Sequence, residues 1–210
     1  MNWKKSFIML LFLTVIFIYT LKAQDDNKNA VIVNVGLLIT SSEDNLNNTI
    51  GFGASYNYNF NQNISLYAGL YYFSPSIEGN LLPEGNIKLM PVVINGIYTL
   101  NNDSLSPYIT GGISYFIISY SLSEDTVNAF NELGFDISSS GNNKLGINIG
   151  GGVYIKINSK YDLILDLRYF SAKTTISNII KDRITQIENV KDTNLSLGSI
   201  WLSGGIKFNF

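Results

Sequence analysis

The chain has no cysteine and no histidine, and only 14% of its 210 residues are charged. Without cysteine there is no disulfide, no thiol nucleophile and no lipid-anchored lipoprotein terminus. Without histidine the usual general base of a Ser–His–Asp arrangement is missing, and so is the commonest metal ligand. Asp162 and Asp166 are the nearest thing to a catalytic carboxylate pair, but they stand four apart on one strand face. We therefore expect no enzyme, no cofactor and no metal site. The 14 basic and 16 acidic residues leave a net charge of −2, scattered along the chain, so no basic surface for nucleic acid is expected. Four prolines and no Pro- or Gly/Ser-rich linker argue for one domain.

Long apolar runs are also scarce, and the one present is at the start. Lys4 and Lys5 precede an apolar stretch from Phe7 to Tyr19, and a polar shift follows at Gln24. That order is a secretory signal, too short for a membrane-spanning helix. We expect residues 1–23 to be a signal peptide cut after Ala23, with residues 24–210 as the domain. Leu21 stands where a small residue is commoner, so an uncleaved anchor is the alternative.

Hydrophobic residues nevertheless make up 46% of the sequence. With no second helical span, they must fill a soluble core or face lipid on alternating strands. TIGFGASYNYNF (49–60) alternates throughout: Ile50, Phe52, Ala54, Tyr56, Tyr58 and Phe60 against Gly51, Gly53, Ser55, Asn57 and Asn59. A soluble sandwich normally covers its wet face with charged and threonine side chains. Gly, Ser and Asn suit a narrow, crowded lumen instead. Seven further alternating segments lie at 30–40, 64–74, 88–100, 107–121, 144–157, 161–172 and 195–210. The fold expected is all-β, an eight-stranded antiparallel transmembrane β-barrel of up-and-down meander type.

Its connections alternate in length. Those near 61–63, 101–104 and 158–160 are tight and rich in Asn, Asp and Ser, which favour turns, while the others are longer, polar and less periodic. This asymmetry is that of an outer-membrane barrel in a Gram-negative-type (diderm) cell, with both termini periplasmic. Tyr58, Phe60, Tyr98, Tyr161, Phe208 and Phe210 gather beside the short turns as an interfacial girdle, with Tyr72, Tyr120 and Tyr169 toward the other rim. The final strand SGGIKFNF puts Gly204, Ile206, Phe208 and Phe210 on one face, to meet membrane lipid and to present a closing signal to the barrel-assembly machinery.

LMPVVINGIYTLNNDSLSPYITGGISYF, with Pro91 and Pro107-Tyr108 opening strands, resembles the signature of the OmpW family of small outer-membrane barrels. GGGVYIKINSKYDLILDLRYF, especially Asp166-Leu167-Arg168-Tyr169, and SGGIKFNF resemble that family's later strands. The resemblance implies a narrow, partly apolar barrel that passes or binds small hydrophobic molecules.

Candidate site residues follow from inward phase. Asp166 and Arg168 should form a charged lumen network with Lys156 and Lys207, because charges in a narrow barrel must be paired or hydrated. Asn57, Asn95 and Asn148 are the other polar lumen candidates, and Tyr67, Tyr71, Phe73, Tyr154 and Trp201 the aromatic ones. They either bind an amphiphile or merely fill the interior. In the fifth strand both faces are apolar, so either Phe116 or Ile117 could point inward. SEDTVNAFNELGF (123–135) reads as a short helix capped by Ser123, with Val127, Phe130 and Leu133 on one side. The seventh connection is semi-apolar, with Ile180 and Ile184, so the mouth formed by these two loops is the expected place of ligand admission. Two other functions stay open at this point: a non-conducting structural, adhesion or receptor barrel acting through its loops, and a soluble periplasmic β-barrel holding a lipophilic ligand.

Overall fold

The computed structural model describes residues 29–40, 46–77, 85–100 and 104–210. Residues 1–23, the expected signal peptide, lie outside the described residues, as do parts of the first, third and fourth connections.

The elements in chain order are β1 (Asn29–Thr40), β2 (Thr49–Asn59), β3 (Ile64–Tyr72), β4 (Ser76–Ile77), β5 (Gly85–Thr99), β6 (Leu105–Leu122), α1 (Glu124–Glu132), β7 (Phe135–Gly141), β8 (Lys144–Lys156), β9 (Tyr161–Ser171), β10 (Lys173–Asp182), β11 (Glu188–Ser196) and β12 (Ser199–Asn209). Strands β1, β2, β3, β5, β6, β8, β9 and β12 pair in that order, all antiparallel, and β12 returns to β1 to close the barrel. The last residue is part of the seam, because Phe210 and Asn29 exchange backbone hydrogen bonds of 2.9 and 3.2 Å.

Alternation is what closes this sheet around an interior. Val35, Phe52, Leu66, Val92, Ile113, Ile149, Leu165 and Leu202, one from each barrel strand, are all exposed on the outer wall. A continuous apolar belt of this size has no place in water, so a soluble barrel is set aside. Tyr58 is half-buried on the outer wall, and Phe60, Tyr98, Tyr161, Phe208 and Phe210 are exposed, at the end of the barrel that carries the termini. Tyr72 and Tyr169 face outward nearer the opposite, loop end. Tyr120 does not join them: it is buried on the inward face of β6, in phase with Phe116 and Ile118.

Inward glycines let residues on flanking strands lean across them. Register rows run Asn34–Gly53–Tyr71, Asn95–Gly112–Asn148 and Tyr108–Gly152–Asp166. A Cβ on the central glycine would lie 2.5 Å from a Tyr71 ring carbon, 2.5 Å from Asn95 Oδ1 and 2.6 Å from the Tyr108 hydroxyl, respectively. The missing side chain is the space that the neighbour occupies.

The loop end differs from expectation in one respect. The seventh connection is no loop: the chain leaves β9 through Ala172 into β10, turns at Arg183–Gln186 and returns as β11 into β12. Strands β11, β10 and β7 form a separate three-stranded sheet standing on the rim. Its outer face carries Thr175, Ser177 and Lys181 rather than a lipid-facing row, which hides the alternation in the sequence. Helix α1 is present, with Ser123 Oγ accepting from the Thr126 N–H as N-cap.

Candidate functional site

The lumen is layered. At the terminal end, Lys207 Nζ lies 3.7 Å from Asp162 and 4.2 Å from the centre of the Tyr154 ring, while Asn209 donates to Asp162 at 3.0 Å. The Tyr154 ring stacks on that of Tyr108 at 4.5 Å.

One layer up, at mid-barrel, Arg168 Nη2 donates to Asp166 Oδ2 at 3.1 Å and Arg168 Nη1 to the Tyr71 hydroxyl at 2.8 Å. The Tyr108 hydroxyl donates to the same Asp166 oxygen at 2.5 Å, and the Tyr67 and Tyr71 hydroxyls bond to each other. The guanidinium carbon sits 5.0 and 5.6 Å from the Tyr67 and Tyr71 ring centres, within range of cation–π attraction. Arg168 therefore spans the interior from β9 to β3. The pair is almost wholly buried, at 2% exposure for each residue. Geometry and added hydrogen bonds must offset the desolvation of two charges there.

Above this centre the lining is mainly apolar and aromatic, with Ser199, Thr174 and Asn178 buried among it. Phe73 meets Trp201 edge-to-face at 4.9 Å, and Phe170 meets Phe73, Tyr71 and Phe116 in the same way. Leu38, Ile87, Leu89, Ile118 and Leu197 continue the lining, and Ile176 on the inner face of β10 extends it into the rim sheet.

The expected charged network divides into two. Arg168 and Asp166 are together, but Lys207 pairs with Asp162, a layer nearer the terminal end. Lys156, although in inward phase, is the last residue of β8 and is exposed at the terminal end of the barrel, outside both groups. Asn95 and Asn148 bond to each other at 2.6 and 2.9 Å, and Asn57 Nδ2 donates to Asn59 at 2.9 Å. Tyr67, Tyr71, Phe73, Tyr154 and Trp201 are buried in the lumen. Of the ambiguous pair in β6, Phe116 points inward, sharing phase with Gly112 and Ser114. Val127 and Phe130 are half-buried on α1 and Ile180 on the inner face of β10, whereas Leu133 and Ile184 are exposed, Ile184 at 91% on the hairpin tip. Tyr108, quoted above only as opening a strand, and Phe170 are lumen residues that the sequence reading does not name. Their signal was phase alone, Tyr108 two residues before Thr110 and Phe170 two after Arg168.

On the rim sheet, Arg183 in the β10–β11 turn donates to Asp136 at 2.6 and 2.8 Å and to Asn131 at 2.6 Å, tying the hairpin to α1 and β7. Those hydrogen bonds hold the Asp136 carboxyl below its ordinary range and raise Arg183. Asp182 is also lowered, by the backbone N–H groups of Thr185 and Ile184.

Residues 8–201 match the family described as outer membrane protein beta-barrel domain. The chain belongs to this family. It is accordingly an outer-membrane protein of a Gram-negative cell, with its belt in lipid. Among solved structures, OprG from Pseudomonas aeruginosa is 16% identical with a TM-score of 0.71, covering 88% of this chain and 97% of that one. Neisserial surface protein A is 18% identical at a TM-score of 0.59, covering 89% of this chain and all of its own. Outer membrane protein W of E. coli is 14% identical at 0.51, with 89% and 100% covered. The common ground is the fold, that of an OmpW-like small outer-membrane barrel, in agreement with the resemblance in the sequence. No curated protein compared with the chain matches it.

Proposed function

We propose that the barrel gives small hydrophobic solutes a restricted path or binding site, with its loop end outside the cell and both termini periplasmic. In this reading residues 1–23 export the chain and are removed, and the β12 face with Ile206, Phe208 and Phe210 is what the barrel-assembly machinery engages. The observation that carries the function is the apolar, aromatic lining of the loop half of the lumen, from Ile176 to Trp201. A water-filled pore keeps a polar interior. The Arg168–Asp166 centre beneath it stops ions and bulk water, so the path is selective for what the upper lining dissolves.

The test is uptake by vesicles that contain the protein and have a lipopolysaccharide outer leaflet, which resists apolar solutes as a plain phospholipid bilayer does not. A small alkane should enter faster than into protein-free vesicles while planar-bilayer ion conductance stays at background. Ile180→Asp, on the half-buried inner face of β10, should slow that uptake and leave the heat-induced gel shift unchanged. Uptake equal to empty vesicles would sink the reading.

A second reading has one observation in its favour. Leu133, Ile184 and Val190 are exposed apolar residues on the rim sheet and its helix, where a surface partner could dock. Cells lacking residues 184–187 should then lose surface binding but keep alkane uptake.

A further inference from the structure

Three polar atoms at the junction of the charged and apolar layers have no protein partner: Arg168 Nε, Trp201 Nε1 and Asp166 Oδ1. Arg168 and Trp201 face each other across the β9–β12 ladder, and Asp166 is the next inward residue of β9. Two are donors and one is an acceptor. Each is buried, and a buried polar group without a partner costs free energy that a matching guest recovers.

The geometry points to a head-group site here for a neutral, hydroxyl-bearing amphiphile, its oxygen accepting from Arg168 Nε and Trp201 Nε1 and its hydrogen given to Asp166 Oδ1. The apolar tail runs toward Phe73, Phe170 and Leu38. This rests on the proposed path for apolar solutes and names the class it favours. Charge decides between heads. Arg168 and Asp166 already neutralise each other, so a carboxylate would be a second anion on one guanidinium in a dry interior. A plain alkane would leave all three atoms as they are. Trp201 is fully buried, so occupation turns aside the Phe73 ring that packs on it.

Trp201 reports on its own site. With Trp3→Phe, it is the only indole in the chain. Full-length protein carrying that change, in phosphatidylcholine vesicles, is titrated with 1-decanol, decanoate and decane while Trp201 emission is followed. Decanol should shift the emission saturably at a membrane concentration about tenfold below the other two, the ratio expected for a hydrogen bond to a charged group. Arg168→Lys keeps a cation opposite Asp166 but has no Nε–H, and should weaken decanol about tenfold while retaining the heat shift. If Arg168→Lys does not fold, Trp201→Phe tested with radiolabelled decanol should show the same direction of loss. Equal responses to all three compounds, tighter decanoate, or unchanged decanol binding in these variants would overturn the site. Alkane uptake is measured in parallel. Uptake without decanol preference removes the head-group site and leaves the path, whereas decanol binding without uptake supports the site and removes the path.

Discussion

Asn95 and Asn148 clasp each other over a strand that separates them. Their amides exchange hydrogen bonds of 2.6 and 2.9 Å above Gly112, the β6 residue in register with both. A methyl group at 112 would lie 2.1 Å from the Ile94 carbonyl oxygen and 2.5 Å from Asn95 Oδ1. Gly112→Ala should therefore destabilise the barrel by about 1–3 kcal/mol from overpacking, and more if both amide bonds break. Asn95→Ala should cost less, because Asn148 keeps its 2.8 Å bond to Ser114. Urea unfolding of the vesicle-embedded protein measures both, and a neutral Gly112→Ala would contradict the clasp.

The mid-barrel ion pair makes an asymmetric prediction. Arg168→Leu alone strands Asp166 in the interior and should cost about 3–5 kcal/mol. Arg168→Leu with Asp166→Leu should recover most of that loss. A double-mutant cycle by the same unfolding method decides it, and simple additivity would mean that the two charges act independently.

Lipid exposure of the belt is tested by depth. Leu165→Arg, mid-belt on β9, should destabilise by about 2–4 kcal/mol, whereas Phe208→Arg, by the terminal edge, should cost about 0–1 kcal/mol. Similar losses at both positions would place the membrane elsewhere on the wall.

The rim clasp should respond to acid. The folded Asp136 carboxyl is a stronger acid than its ordinary 3.8, so its pairing with Arg183 contributes above that value and is lost as pH falls through the lowered one. Carbon-13 titration of Asp136 should give a midpoint below 3.8 that returns toward it in Arg183→Ala. The same midpoint in both proteins would mean that the clasp does not form in solution.

The barrel strands were legible because lipid and lumen impose opposite chemistry on successive residues, as in Phe52–Gly53 or Leu165–Asp166. Where water replaces lipid the contrast fades. Ile176, Asn178 and Ile180 face inward on β10 while Ser177 and Ile179 face outward, so polarity no longer marks the face. Inward phase was legible for Lys156 and Lys207, but partners were not, since pairing depends on the stagger between strands that only closure fixes. The link from Arg168 to Tyr71 joins residues 97 apart in sequence and leaves no local trace.

That link also bears on how the molecule is made. Tyr67 and Tyr71 come from β3, Tyr108 from β6, and Asp166 and Arg168 from β9. A sheet inserted in lipid but not yet curled shut would hold a guanidinium and a carboxylate short of their tyrosine partners, in the solvent least able to replace them. Partial barrels are thus penalised from within, and the completed polar centre favours the closed state over any half-built one.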